Sequence, residues 1–296
     1  MEGDPNDPNH ELKLRPVFIR IPNVSREQVR AINTLRGQAK CASIDATDAV
    51  MKRCGGDVAV FAAIAKYIAE SAPITINIAP NIVGLLAKDT HLRNSFEVST
   101  KGASYDEWRK VKEDKVFLDL YTEKSGINAP ARPKYGALNY LNNLGGLPGA
   151  MMYGRWHLVL HDSARPRCTL AECNTSGGEE LGVLDFCMHV LMKLTDGEFA
   201  ELIAVATKTK PHSDKYQERY REVQIHGDVL LGRDIAALCI PAADVSNSTY
   251  QHAVAFSQAH NVPIRTFEYK EKEPKVAKVA KTAKTPKVAK VTTPTP

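Results

Sequence analysis

From about residue 115 onward, the chain is cut into short apolar runs of strand length, bounded by turn residues and only irregularly interrupted by helical stretches. The runs are VFLDLY (116–121), YGALNYL (135–141), WHLVLH (156–161), RCTLAEC (167–173), REVQIH (221–226), AALCI (236–240) and IRTFEY, which begins at Ile264. Between them fall LGVLDFCMHVLMKL (181–194), GEFAELIAVATK (197–208) and TYQHAVAFSQAH (249–260), all of helical pattern. Strict strand–helix alternation would build a doubly wound parallel sheet. Its absence points to an α+β fold with a mostly antiparallel sheet. The preceding part reads helical: Ser25 and Gln28 make a capping-box pair, and Asp57 precedes VAVFAAIAKYIAES, whose apolar positions recur at helical spacing. Further helices are expected at 79–87 and 105–112, and the 57–71 segment, apolar on most sides, is expected to be packed. The expected organisation is a flexible leader (1–16), a helical region (17–114), a β-rich core (115–269) and a Lys-rich tail (270–296).

The tail changes how the charge is read. The 296 residues carry a net +5, but 8 Lys and 2 Glu lie in 270–296, which leaves residues 1–269 at −1. The composition of the body thus gives no argument for a nucleic-acid partner. The tail has no apolar side chain larger than Val, so burial cannot offset its ordering entropy, and it is expected to be disordered. Such a segment suits a weak, salt-sensitive contact with an anionic partner. The apolar runs fall short of the roughly 20 residues a bilayer requires, so no membrane span is expected. The polar N-terminus, with two Asp-Pro steps, lacks the apolar stretch of a cleavable signal peptide, which points to a cytoplasmic protein or to delivery into a host cell by another route. Six scattered cysteines without a CxxC read as free thiols. His157, His161, Cys168 and Cys173 lack the paired spacing of a zinc site, and no metal is assigned.

There is no GxGxxG after a strand, no GxxxxGK[ST], no GxSxG and no HExxH, which removes the familiar nucleotide-binding and hydrolase readings. Polar residues collect instead on three strand candidates. ARPKYGALNY holds Arg132, Tyr135 and Asn139, with Gly136 permitting close approach of a ligand or a second backbone. RCTLAECNTSGG ends in Thr175, Ser176 and two glycines. In YREVQIHG, Glu222, Gln224 and His226 alternate with Val223 and Ile225, so the three polar side chains share one strand face. That face either meets water, as one side of an antiparallel sheet often does, or lines a cleft.

The segments NSFEVSTKGASYDEWRK, ARPKYGALNY and EVQIHGDVLLGRDI, spanning about 94–245, resemble an uncharacterised bacterial domain family that shares RPKYGALN and a VHG-type strand. That family in turn resembles ADP-ribosyltransferases, including bacterial effectors that modify host ubiquitin. The resemblance implies a split antiparallel β-sandwich after an N-terminal helical region, NAD as donor substrate and a protein acceptor. Arg132 would take the place of the first-strand arginine, Thr175 and Ser176 that of the hydroxyl patch, and Glu222 that of the catalytic glutamate. Arg132 would brace a phosphate, Tyr135 would stack on nicotinamide, and Asn139, Gln224 and His226 would complete the cofactor site. The second strand reads CNTS rather than Ser-Thr-Ser. Tyr220 stands where arginine-directed enzymes carry Gln or Glu, which points to an acceptor such as Thr or Ser. The chemistry suits these residue types, because cleaving the nicotinamide–ribose bond develops oxocarbenium charge that a carboxylate offsets. The alternative is a non-enzymatic binding module whose basic tail makes the partner contact.

Overall fold

The run ITINI forms the strand around which the others are arranged (β1, Ile74–Ile78). The computed structural model describes residues 24–98, 102–122, 131–174, 180–215, 217 and 220–268, so the expectations for the leader, the tail, Thr175 and Ser176 lie outside the described residues. Among the described residues seven further strands follow: β2 (Lys134–Leu138), β3 (Trp156–Leu160), β4 (Cys168–Leu170), β5 (Gly182–Val183), β6 (Arg221–Ile225), β7 (Ile235–Pro241) and β8 (Ile264–Phe267). They form one sheet in the order β5-β4-β6-β2-β1-β3-β7-β8, antiparallel throughout except for the parallel β7–β8 edge.

The helices are α1 (Arg26–Asp45), α2 (Thr47–Arg53), α3 (Val58–Glu70), α4 (Pro80–Leu86), α5 (Ser95–Val98), α6 (Ala103–Val116), α7 (Met188–Leu191), α8 (Asp196–Ala206), α9 (Leu231–Asp234) and α10 (Tyr250–His260). Their starts follow local chemistry. Ser25 and Gln28 close a capping box on α1, Asp57 accepts from Ala59 N and Val60 N at α3, and Thr195 with Glu198 closes a second box on α8. None of the described helices is long and apolar enough to cross a membrane. This is the mixed α+β, mostly antiparallel arrangement expected from the order of elements.

Four expectations need correction. The helical region supplies β1, and β1 lies at the centre of the sheet, so residues 17–114 and the β-rich part share one core rather than dividing near 115. The strands pair as a single sheet, where the resemblance implied a split sandwich. VFLDLY is not a strand: α6 runs to Val116, and Leu118 and Asp119 then turn with φ of 54° and 58°. The 181–194 run divides into β5 and the short α7 rather than forming one helix.

Strand register separates two unlike sheet faces. Ile76, Leu158 and Leu238 lie side by side on one, as do Val223 and Leu170. This face merges with Ile64 and Ile68 of α3, Phe199 and Leu202 of α8, Val83 of α4 and Phe256 of α10 into one large core. Each such side chain contributes roughly 1.5–3 kcal/mol on burial. α3 packs through Ile64 and Ile68 while Val58 at its start is 69% exposed, so it is a one-faced helix rather than one surrounded on most sides. The opposite face carries the rows Thr75–Ala137–Glu222 and Tyr135–Gln224–Thr169. Helix α6 reaches this second face through Glu113, which accepts from the Tyr135 hydroxyl at 2.7 Å.

Candidate functional site

Between the polar sheet face and α6 lies a cavity of about 230 Å³. Thr75, Ala137 and Glu222 form its floor, and Tyr135 rises beside them. On the helix side, Tyr105, Trp108, Arg109 and Lys112 fall at spacings of three, one and three residues, which places them along one stripe of α6. Tyr153, at the end of a 3-10 turn (Pro148–Tyr153), and Tyr220 complete an aromatic rim. Gly136 belongs to the wall for a backbone reason: a Cβ there would meet Thr75 O at 2.7 Å, so the close approach it permits is that of β1.

The α6 side is tied to β2 through Glu113. Its Oε1 accepts from Tyr135 Oη at 2.7 Å and Arg109 Nε at 2.8 Å, and its Oε2 accepts from Arg132 Nη1 at 3.0 Å. The Arg109 guanidinium sits 4.4 Å from the centre of the Tyr135 ring. Burial, reinforced by the Glu113 charge, holds the Tyr135 hydroxyl well above its ordinary pKa, so it remains a donor. For Arg109, burial works against the charge, but the Glu113 carboxylate opposes it, and its pKa is raised.

Arg132 is only 2% exposed and does not line the cavity. It donates to Glu113, Asp114 and the Tyr121 carbonyl, the last at 2.9 Å, and its guanidinium lies 5.3 Å from the Phe96 ring centre. Its own carbonyl accepts from Asn94 Nδ2 at 3.0 Å, and two residues on Lys134 Nζ lies 3.5 Å from Glu97 Oε2. The NSFEV and ARPKYG segments, 38 residues apart at Asn94 and Arg132, are therefore one interlocked unit that sets the entry of β2. The phosphate-bracing place expected for Arg132 is corrected accordingly: its donors meet protein carboxylates and a carbonyl.

Glu222, 6% exposed, lines the cavity. Behind it the alternation read from sequence holds, but the face is buried rather than wet. Gln224 Nε2 donates to Glu222 Oε1 at 3.2 Å, and Gln224 Oε1 accepts from Thr169 Oγ1 at 2.7 Å. Thr169 Oγ1 in turn lies 3.0 Å from His226 Nε2, while His226 Nδ1 is paired with the Tyr121 hydroxyl. Burial, assisted by Arg167, pushes the His226 pKa down to about 3, so the ring is neutral at ordinary pH. Arg167 also accounts for the following bend, donating to the His226 and Asp228 carbonyls at 2.7 and 2.8 Å.

Of the residues expected to contact the cofactor, Tyr135 and the catalytic candidate Glu222 line the cavity. Gln224 and His226 are fully buried behind Glu222, a correction to their cofactor-binding roles. Asn139 is likewise corrected: its side chain donates to Asn143 O and accepts from Asn143 N, both at 2.8 Å, closing the turn after β2. The α6 residues Tyr105, Trp108, Arg109, Lys112 and Glu113 were not singled out from the sequence, although the helix itself was expected at 105–112. Their common stripe in SYDEWRKVKE was the available signal. No protein-family model matches the chain, and no curated protein matches it.

Proposed function

We propose that the chain is an NAD-dependent ADP-ribosyltransferase acting on a protein acceptor, with the cavity above Glu222 receiving the nicotinamide–ribose end of the donor. The observation that carries the reading is a nearly buried carboxylate on the floor of an aromatic-walled cavity, on the strand where the EVQIHG resemblance puts the catalytic glutamate. The resemblance also puts its site-bearing residues on β2 and β6, which are neighbours in the sheet.

In this reading the bond between ribose C1′ and the nicotinamide nitrogen breaks with its electron pair leaving on nicotinamide, which departs neutral. The acceptor hydroxyl oxygen forms the new bond to C1′ and gives its proton to solvent water. Glu222 accepts a hydrogen bond from a ribose hydroxyl and offsets the positive charge that develops on the sugar. Trp108 and Tyr135 provide aromatic surfaces for a cationic pyridinium ring. Lys112, rather than Arg132, is the cation on the cavity wall that suits a diphosphate, because Arg109 is already held by Glu113 and stacked on Tyr135. The acceptor is a Thr- or Ser-bearing protein, host ubiquitin being the candidate the resemblance names.

The test is NAD labelled in the adenylate half, incubated with the protein and a host-cell lysate, with nicotinamide release followed in parallel. Glu222→Gln is expected to lower both signals by about 10²–10³-fold, the scale of removing one preorganised electrostatic stabiliser. Turnover that survives this substitution rules out Glu222, and saturable NAD binding without nicotinamide release supports a binding module instead.

A further inference from the structure

Glu222 is the end of a line of hydrogen bonds whose direction is determined by donor and acceptor chemistry alone. A threonine hydroxyl has one proton, and Thr169 directs it to Gln224 Oε1 at 2.7 Å, because an amide oxygen only accepts. The contact between Thr169 Oγ1 and His226 Nε2 at 3.0 Å must then be donated by the ring. A neutral imidazole protonated on Nε2 has a bare Nδ1, and the Tyr121 hydroxyl donates to it. At the other end, Gln224 presents its amide N–H to Glu222 Oε1 at 3.2 Å. Every donor in the series points toward the carboxylate. Each of the four supporting side chains is essentially excluded from water.

We propose that Tyr121, His226, Thr169 and Gln224 are positioning residues forming a one-way hydrogen-bond relay that holds the Glu222 carboxylate ionised and aimed into the cavity. Aligned donors polarise one another, so the last one is a better donor to a charged acceptor than an isolated amide. The relay also gives Arg132 an indirect role. By donating to the Tyr121 carbonyl at 2.9 Å, its guanidinium helps fix the residue from which the relay starts, without touching the cavity. A resemblance-based reading would put Gln224 and His226 on the ligand; the geometry instead puts them one and three bonds behind the group that meets it. Only the kinetic consequence of the relay rests on the transferase reading. Its direction and its action on Glu222 do not.

The experiment uses the full chain labelled with ¹⁵N on histidine and ¹³C on the glutamate side-chain carboxyl. The wild type is compared with Thr169→Val, which removes the central hydroxyl at nearly constant shape, and with Thr169→Ser, which keeps it. The expected ¹⁵N pattern for His226 is a neutral ring protonated on Nε2. In Thr169→Val the Glu222 carboxyl titration is expected to move up by about half a pH unit, and in Thr169→Ser to return to the wild-type value. Among the described residues, the other ionisable groups lining the cavity with Glu222 are Tyr105, Arg109, Lys112 and Glu113 on α6 and Tyr135, Tyr153 and Tyr220 around it, and neither substitution touches them. Tyr121→Phe is the second break, expected to move the His226 Nδ1 signal while leaving Nε2 protonated. A ring protonated on Nδ1, or a Glu222 titration indifferent to Thr169→Val, overturns the relay whether or not NAD is turned over. Should NAD be turned over, kcat is expected to fall about 10-fold in Thr169→Val with KM for NAD unchanged, and to recover in Thr169→Ser. If the NMR results hold and no turnover is seen in any variant, the transferase reading fails and the relay stands.

Discussion

The two faces of the sheet are built on opposite terms. The face toward α3, α8, α4 and α10 is held by interlocking aliphatic and aromatic side chains, from Ile76 and Leu158 to Phe199 and Phe256. The face toward α6 is held by polar atoms that find one another: Glu113 with Arg109, Arg132 and Tyr135, then Glu222, Gln224, Thr169, His226 and Tyr121 in series. Apolar packing is forgiving in direction but leaves no functional group behind. A polar network is costly if one member is lost, yet it can hold a carboxylate in a fixed attitude beside an open cavity. The cavity lies on the face where the chain has accepted that cost.

This contrast makes the polar face the more fragile of the two, most of all toward acid. Burial pushes the His226 and His157 rings down from the ordinary imidazole value of 6.5 to about 3 and about 4. The unfolded state therefore binds more protons below 6.5, and stability rises with pH across that range. Lowering the pH from about 6.5 toward 3 is expected to remove on the order of 3 kcal/mol or more per ring, measured by denaturant unfolding at a series of pH values. A flat stability profile across that window would contradict the buried, neutral state of both rings.

Arg132→Ala leaves Glu113 and Asp114 short of a buried partner and is expected to cost about 3–5 kcal/mol, with Arg132→Lys recovering only part because the fork is lost. Leu158→Ala, on the apolar face, is expected to cost about 2–5 kcal/mol through cavity formation, but to leave ligand binding per folded molecule unchanged. If the two variants impair the cavity equally once corrected for unfolding, the separation of faces is wrong. Gly136→Ala forces a Cβ against Thr75 O and is expected to cost about 1–3 kcal/mol by thermal unfolding, with β1 moving away from β2. Met152→Ser, at a side chain 79% exposed, sets the lower end, with a change within about 0.5 kcal/mol.

Much of this was legible along the chain where a local rule had no rival. Alternation put Glu222, Gln224 and His226 on one face, and Ser25 with Gln28 announced the start of α1. Reading failed where one pattern serves two structures. ITINI is β-branched and alternating, yet it lies between helical segments, and its own pattern does not mark it as the central strand it forms. VFLDLY has strand composition, but it continues from α6 and turns at Leu118 and Asp119. Short apolar runs are ambiguous in this way because strand and helix both bury them, and only their neighbours decide.

The order of residues along β2, β6 and α6 dictated which side chains share a face, since backbone periodicity leaves no freedom in that. It could not dictate which atoms those faces would meet. Arg132 precedes a strand bearing cavity residues but turns to the carboxylates of α6, and His226 shares the face of Glu222 but stands behind it. Those outcomes follow from the packing of α6 across the sheet, because a buried donor or acceptor goes to the nearest group that satisfies it, and nearness between distant segments is a property of the folded chain.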